Sequence, residues 1–226
     1  TATDGSGNTA QCMVNQTVVD TTNPVITVCA STPANISANG SCQGTAPDLT
    51  GSVTATDNCT GSPTITQSPA AGATLGLGTT TITLTATDGS GNTAQCMVNQ
   101  TVVDNTAPIV TCSSGTQNVS DDGTGDCTFT PVAVGQGGSY DINDNCSGTL
   151  TVQEVFTGAL TATATWSLAA GGGPYTPVQV FPVGITTVTV TVTDASGNSS
   201  SCMYTTTILD DEVPVVTCPA DLTIEC

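Results

Sequence analysis

The residues best equipped for chemistry in this chain are carboxylates and cysteines. Eighteen acids stand without a single Lys, Arg or His, a formal charge of −18. The acids recur in fixed phrases: Asp57 in "TDNC" and Asp144 in "NDNC", Asp88 in "DGSGN" and Asp194 in "DASGN". Asp20 and Asp104 close two copies of one longer phrase, and Asp141 adds a carboxylate beside Asp144. Oxygen ligands drawn from several loops are what Ca²⁺ takes. The competing account is local, because Asp and Asn in such phrases are ordinary turn formers. Asp121, Asp122 and Asp126 in "SDDGTGDC" read as a solvated turn.

Acid–base and nucleophilic catalysis find little support. Without His or Lys the many hydroxyls have no obvious base. The expectation is therefore no enzyme. Nucleic acid is excluded as a partner, since nothing in the chain neutralises a phosphate. Eleven cysteines without a histidine or a Cys-x-x-Cys pair argue against structural zinc and for disulfides. Disulfides imply an oxidising, extracellular setting. No apolar run is long enough to suggest membrane insertion, and with no initiator Met the chain reads as an internal piece of something longer.

The elements that carry these residues repeat. "TATDGSGNTAQCMVNQTVVD" occupies residues 1–20 and returns unchanged at 85–104, with a looser copy, "TVTDASGNSSSCMYTTTILD", at 191–210. Each copy is followed by a Pro-containing joint and a Cys: "TTNPVITVC", "NTAPIVTC" and "DEVPVVTC". Boundaries drawn there give the final hairpin of one repeat at 1–20, full repeats at 21–104 and 105–210, and the start of another at 211–226. Units of this length suit a small β-sandwich rather than a short solenoid repeat.

Period-two alternation predicts the strands. In "TTITLTATD", Ile82, Leu84 and Ala86 face one way and the threonines the other; "TTVTVTVTD" repeats this with Val188, Val190 and Val192. Threonine, β-branched and polar, suits the solvated face of a sheet. "DGSGN" between two such runs predicts a hairpin turn. No helix-period stretch of useful length occurs, so the class is all-β.

The Pro-containing joint, "TC", "DNC", "FPVGITTVTVTVTDASGN", a further Cys and a closing "ILD" together resemble the hyalin repeat (HYR) family over essentially the whole chain. The 105–210 repeat carries the fuller pattern; 21–104 has "LGLGTTTITLTATDGSGN" in its place. The resemblance implies tandem immunoglobulin-like β-sandwich domains in a linear array, in extracellular and often adhesive proteins at the cell surface. The Thr-rich, Lys-free composition is also similar to the giant repetitive surface adhesins of gliding Bacteroidota. The function so implied is a structural stalk segment of a long extracellular adhesin or filament, serving surface attachment or gliding motility, with neighbouring repeats of the same chain as its partners. The alternatives are a glycan- or protein-binding module in the longer repeat, or an accessory array on a secreted enzyme.

Immunoglobulin-like topology places the loop after the second strand and the last hairpin at one pole. That implies bonds between Cys59 and Cys96 and between Cys146 and Cys202, and it gathers Asp57 with Asp88, and Asp144 with Asp194, near the joint acids Asp20 and Asp104. Two schemes remain open for the other cysteines. Local pairing joins Cys29 to Cys42, Cys112 to Cys127 and Cys218 to Cys226. The last pair is eight residues apart, about 25 Å if extended, so it needs a sharp turn at Pro219. Pairing across the joint bonds Cys42 to Cys112 and Cys127 to Cys218, leaving Cys29 and Cys226 to repeats beyond this chain.

All seven aromatics fall in the 105–210 repeat, whose interval between third and fourth cysteines is 56 residues against 37 in the other. The extra segment, "TATATWSLAAGGGPYTP", admits two readings. It is an added hairpin over a larger core, or a protrusion whose Trp166 and Tyr175 contact a surface glycan or protein.

Overall fold

The computed structural model describes residues 1–59, 61–113, 116–121, 123, 125–131, 136–146, 148–169, 172–214 and 216–218. Asp122, Pro219 and Cys226 lie outside them. Among the described residues the regular structure is β-strand, apart from one 3₁₀ turn at Thr50–Ser52. The chain divides into two compact units, residues 1–36 with 44–102 and residues 37–43 with 103–226.

In the first unit the alternating run becomes the strand Gly78–Thr87, with Ile82, Leu84 and Ala86 fully buried. It pairs antiparallel with Thr93–Val103 on one side and Thr64–Ser68 on the other. A second layer holds Val25–Val28 paired with Thr54–Thr56. Ala30, Leu49, Ile82, Leu84 and Val98 form the core between the layers. Buried aliphatic surface contributes roughly 25 cal/mol per Å², and this small core has aliphatic side chains and two cysteines but no aromatic ring.

The second unit is a fuller sandwich. Its larger sheet has the order Thr116–Ser120, Ser199–Leu209, Gly184–Thr193, Leu150–Gly158, Ala162–Leu168, with the first pair parallel. Its smaller sheet sets Ile109–Cys112, Tyr140–Asn143 and Gly172–Tyr175 side by side. Phe129, Tyr140, Phe156, Phe181 and Tyr204 are buried between the sheets with Val152, Val188, Val190 and Val192. Five of the seven aromatics thus fill the core, which is why this repeat is richer in rings.

The extra segment is not one added hairpin. Ala162–Leu168 extends the larger sheet, whereas Gly172–Tyr175 crosses to the smaller one and pairs with Tyr140–Asn143. It therefore contributes one strand to each layer.

The disulfides differ from the expected pairings. Cys29 bonds Cys96, Cys112 bonds Cys202 and Cys42 bonds Cys146. The Cys59–Cys96, Cys146–Cys202 and Cys42–Cys112 bonds do not form, and Cys127 and Cys218 are separate free thiols, as are Cys12 and Cys59. Local Cys29–Cys42 and Cys112–Cys127 pairing is absent too. The cause is the pleat. Cys96 and Cys202 lie inside strands rather than in the turns before them, on the same face as the buried Val98 and Tyr204 two residues on. They meet the first cysteine of the repeat across the core. The third cysteine stays in its loop at the edge.

Candidate metal centre

The last hairpin builds the first ligand. In "DGSGN" the Asp88 carboxylate folds back on its own turn: Oδ1 accepts from the backbone N–H groups of Ser90 (2.9 Å) and Asn92 (2.8 Å), and Oδ2 from Asn92 Nδ2 (2.8 Å). Asp194 repeats this with Ser196, Asn198 and the Asn198 amide, all at 2.8 Å. The positive φ of the turn glycines Gly91 (+91°) and Gly197 (+90°) closes each loop. Asp4 forms the same loop with Ser6 and Asn8, fully exposed. The turn therefore needs nothing beyond its own residues.

The neighbours of Asp88 and Asp194 are what turn chemistry leaves unexplained. Asp20, Asp57 and Asp88 each offer a carboxylate oxygen, and the three oxygens lie within 4.8 Å of one another. Asp104, Asp144 and Asp194 form the same group in the second unit. The third member of each set is buried, as is Asp104. Asn92 ties the first set together by donating to the Asp20 carbonyl at 3.3 Å as well as to Asp88. Asn198 does the same with the Asp104 carbonyl at 3.1 Å. Asp57 and Asp144 each accept from the N–H of the cysteine two residues on, Cys59 (2.9 Å) and Cys146 (3.1 Å). Asp20 and Asp104 cap the N–H groups of Thr22 and Thr106, both at 3.0 Å.

Asp20, Asp57, Asp104 and Asp144 thus spend one oxygen on local geometry, Asp88 and Asp194 spend both, and each carboxylate stands beside two other anions. Burial raises the Asp144 carboxyl above its ordinary range, and the charges of Asp104 and Asp194 push the same way. Its Oδ1 is buried without a hydrogen-bond partner. For Asp88 burial also acts upward, but the hydrogen bonds from Asn92, Ser90 and Gly91 outweigh it and hold the carboxyl low. The Cys59 thiol is pushed up by burial and then by Asp20, Asp57 and Asp88.

Of the seven candidate ligands, the structure brings six together in two sets of three. Asp141 stands apart, exposed on the strand Tyr140–Asn143 opposite Thr111. The asparagines that hold each set together escaped the sequence reading. Their signal was present, since Asn follows Asp by four residues in all three copies of the hairpin.

Trp166 and Tyr175 do not protrude. They meet with ring centroids 5.4 Å apart, and Tyr175 lies 5.9 Å from Tyr140. With Glu154, Pro177 and Val178 these rings line a cavity of about 450 Å³.

The HYR domain family matches residues 19–102 and 147–208, more than half of the chain. Hyalin of Strongylocentrotus purpuratus is 32% identical over 97% of this chain, and hyalin of Lytechinus variegatus 31% over 97%. The chain spans only 17% and 38% of the lengths of these two proteins. Among solved structures, PcdhgB3 EC1-4 is 20% identical with a TM-score of 0.35, covering 84% of this chain and 50% of that one. Mouse cadherin-23 EC22-24 is 12% identical with a TM-score of 0.32, covering 85% and 66%. Likeness at that level does not bear on function. Among the described residues no helix is long and apolar enough to cross a membrane. With its paired repeats, its cysteine and Asp-Asn-Cys phrases and this family match, the chain belongs to the HYR domain family.

Proposed function

We propose that this chain is an extracellular adhesion-type repeat segment in which each repeat binds Ca²⁺ through three aspartates. The observation that carries it is the pair of equivalent carboxylate sets, each within 4.8 Å, in a chain without one Lys, Arg or His. Ca²⁺ sits 2.3–2.6 Å from its oxygens, so ligands around it are up to roughly 5 Å apart. The spacing fits, and the partnerless Asp144 Oδ1 supplies a free acceptor. A bound cation would join the peptide entering the repeat (Asp20 or Asp104) to that repeat's own loops and offset the repulsion among the acids. The finer role follows from this and from the repeats: a stalk of a long surface filament, stiffened by disulfides and Ca²⁺, used for attachment or gliding.

Thermal melts with Ca²⁺ and with EDTA test the cation. Ca²⁺ is expected to raise the transition by several degrees. Asp88→Asn combined with Asp194→Asn abolishes the shift, while Asp141→Asn keeps it. Superimposed melts of the unaltered chain with and without Ca²⁺ end the proposal.

The cavity favours a second role, ligand recognition by the longer repeat. Aromatic faces beside a buried carboxylate suit a sugar ring or a cationic side chain. Quenching of the lone tryptophan by a glycan array or amine-bearing peptides, lost in Tyr175→Ala, would support it; flat fluorescence across both panels would remove it.

A further inference from the structure

The three bonds obey a rule by position within the repeat. The first and fourth cysteines pair inside a repeat, as in Cys29–Cys96 and Cys112–Cys202. The second cysteine of one repeat pairs with the third cysteine of the next, as in Cys42–Cys146, and both residues belong to the second compact unit. Under this rule the free thiols of the two full repeats are not leftovers. Cys59 is a third cysteine and Cys127 a second, and both are exposed.

Each is already presented as its bonded counterpart is. Among the described residues, Cys42 and Cys127 are the non-glycine residues with φ in the left-handed region, +62° and +56°. L-residues other than Gly, Asn and Asp visit it rarely. Cys59 and Cys146 share one local contact. The preceding asparagine donates to the sulfur from Nδ2, at 3.4 Å from Asn58 and 3.3 Å from Asn145. The bond seen between Cys42 and Cys146 thus shows what this pair of geometries does when it meets.

We infer that Cys59 and Cys127 are the open halves of inter-repeat disulfides, and that the partner each takes is another HYR repeat offering the complementary cysteine. Cys127 bonds the third cysteine of a following repeat, and Cys59 the second cysteine of a preceding one. The repeats become a chain of covalent links, each domain stapled to both neighbours. In forming a link, two thiols lose two protons and two electrons to a disulfide oxidant. With oxidised glutathione, its S–S bond breaks and two glutathione thiols are released. The extracellular assignment matters here only as the source of oxidising conditions.

A second copy of the chain serves as the probe. In the 226-residue chain with Cys12, Cys218 and Cys226 changed to Ser, Cys59→Ser and Cys127→Ser variants are mixed in a glutathione redox buffer. A protease cutting before Asp releases Cys59 in peptide 57–87 and Cys127 in 126–140. The expected product is a heterodimer joining those two peptides, exceeding either homodimer by at least about tenfold, the factor 1.4 kcal/mol gives. The unmixed background forms a ladder of head-to-tail oligomers. Finding the Cys29–Cys96 and Cys112–Cys202 linked peptides in both variants certifies that they are folded. With folding certified, homodimers and heterodimers in statistical proportion overturn the inference, and so does the absence of any heterodimer.

Discussion

Tyr140 donates its hydroxyl to Glu154 at 2.6 Å, from one sheet of the second unit to the other, with both residues almost wholly buried. Glu154 occupies an inward position between Val152 and Phe156 on the strand Leu150–Gly158. Burial raises its carboxyl above the ordinary value of 4.5, and the Tyr140 hydrogen bond only partly opposes this. Tyr140 is raised as well, first by burial and then by Glu154.

Glu154→Gln keeps an acceptor for Tyr140 and removes the charge, so it should stabilise the domain at neutral pH by about 1 kcal/mol. The sign follows from linkage. The folded state holds this proton more tightly than the unfolded state does. The stability it contributes is complete below 4.5 and is lost as pH rises from there through the folded value. Urea unfolding at pH 4 and pH 7.5 should show the variant's advantage widening at the higher pH. An advantage equal at both would refute the assignment.

The bridging amides make a contrast between turns with the same hydrogen-bond pattern. Asn198→Ala removes donors to both Asp194 and the Asp104 carbonyl in a partly buried site. A cost of about 1–3 kcal/mol is expected, as for buried acceptors left unsatisfied. Asn8→Ala removes the same side-chain bond to Asp4, but in an exposed loop, and should leave the melt unchanged.

The two intra-repeat disulfides close long loops, with sequence separations of 67 and 90. Replacing either pair by Ser should cost about 4 kcal/mol on loop entropy. The first unit, with its smaller core, is expected to lose its cooperative transition first when the bonds are reduced. Domain-resolved hydrogen exchange would read this directly.

Gly158 ends the strand Leu150–Gly158 at φ +109°, and a methyl built there overlaps the Ile185 carbonyl oxygen. Gly158→Ala should therefore cost about 1–3 kcal/mol. Gly61, with nothing within 4 Å of an added methyl, should accept alanine without loss.

The strands were legible because burial follows a period of two. Ile82, Leu84 and Ala86, and likewise Val188, Val190 and Val192, are fully buried where their alternation put them. The hairpins were legible because the Asp, Gly and Asn of the turn satisfy one another within five residues. The disulfide pairing was not. Whether Cys96 faces a loop or the core depends on where the strand begins, and one residue's shift reverses the face. The carboxylate sets lay between these cases. Their members could be named from repeated phrases, but only chain packing separates Asp141 from Asp144.

The repeated phrase shows the division most directly. Residues 1–20 and 85–104 are identical. Both form the same Asp-anchored turn, at Asp4 and at Asp88, because its hydrogen bonds are local. Beyond the turn they part. Thr93–Val103 is an eleven-residue strand with Val98 and Val102 buried, while the matching stretch after Ala10 forms no strand and leaves Val14 and Val18 exposed. The second copy runs beside Gly78–Thr87, which supplies ladder partners and a core to cover. The turn, the alternation and the residues available for chemistry are local and follow from neighbouring residues alone. Which cysteines meet and which carboxylates converge follow from packing, because those depend on partners distant in the chain.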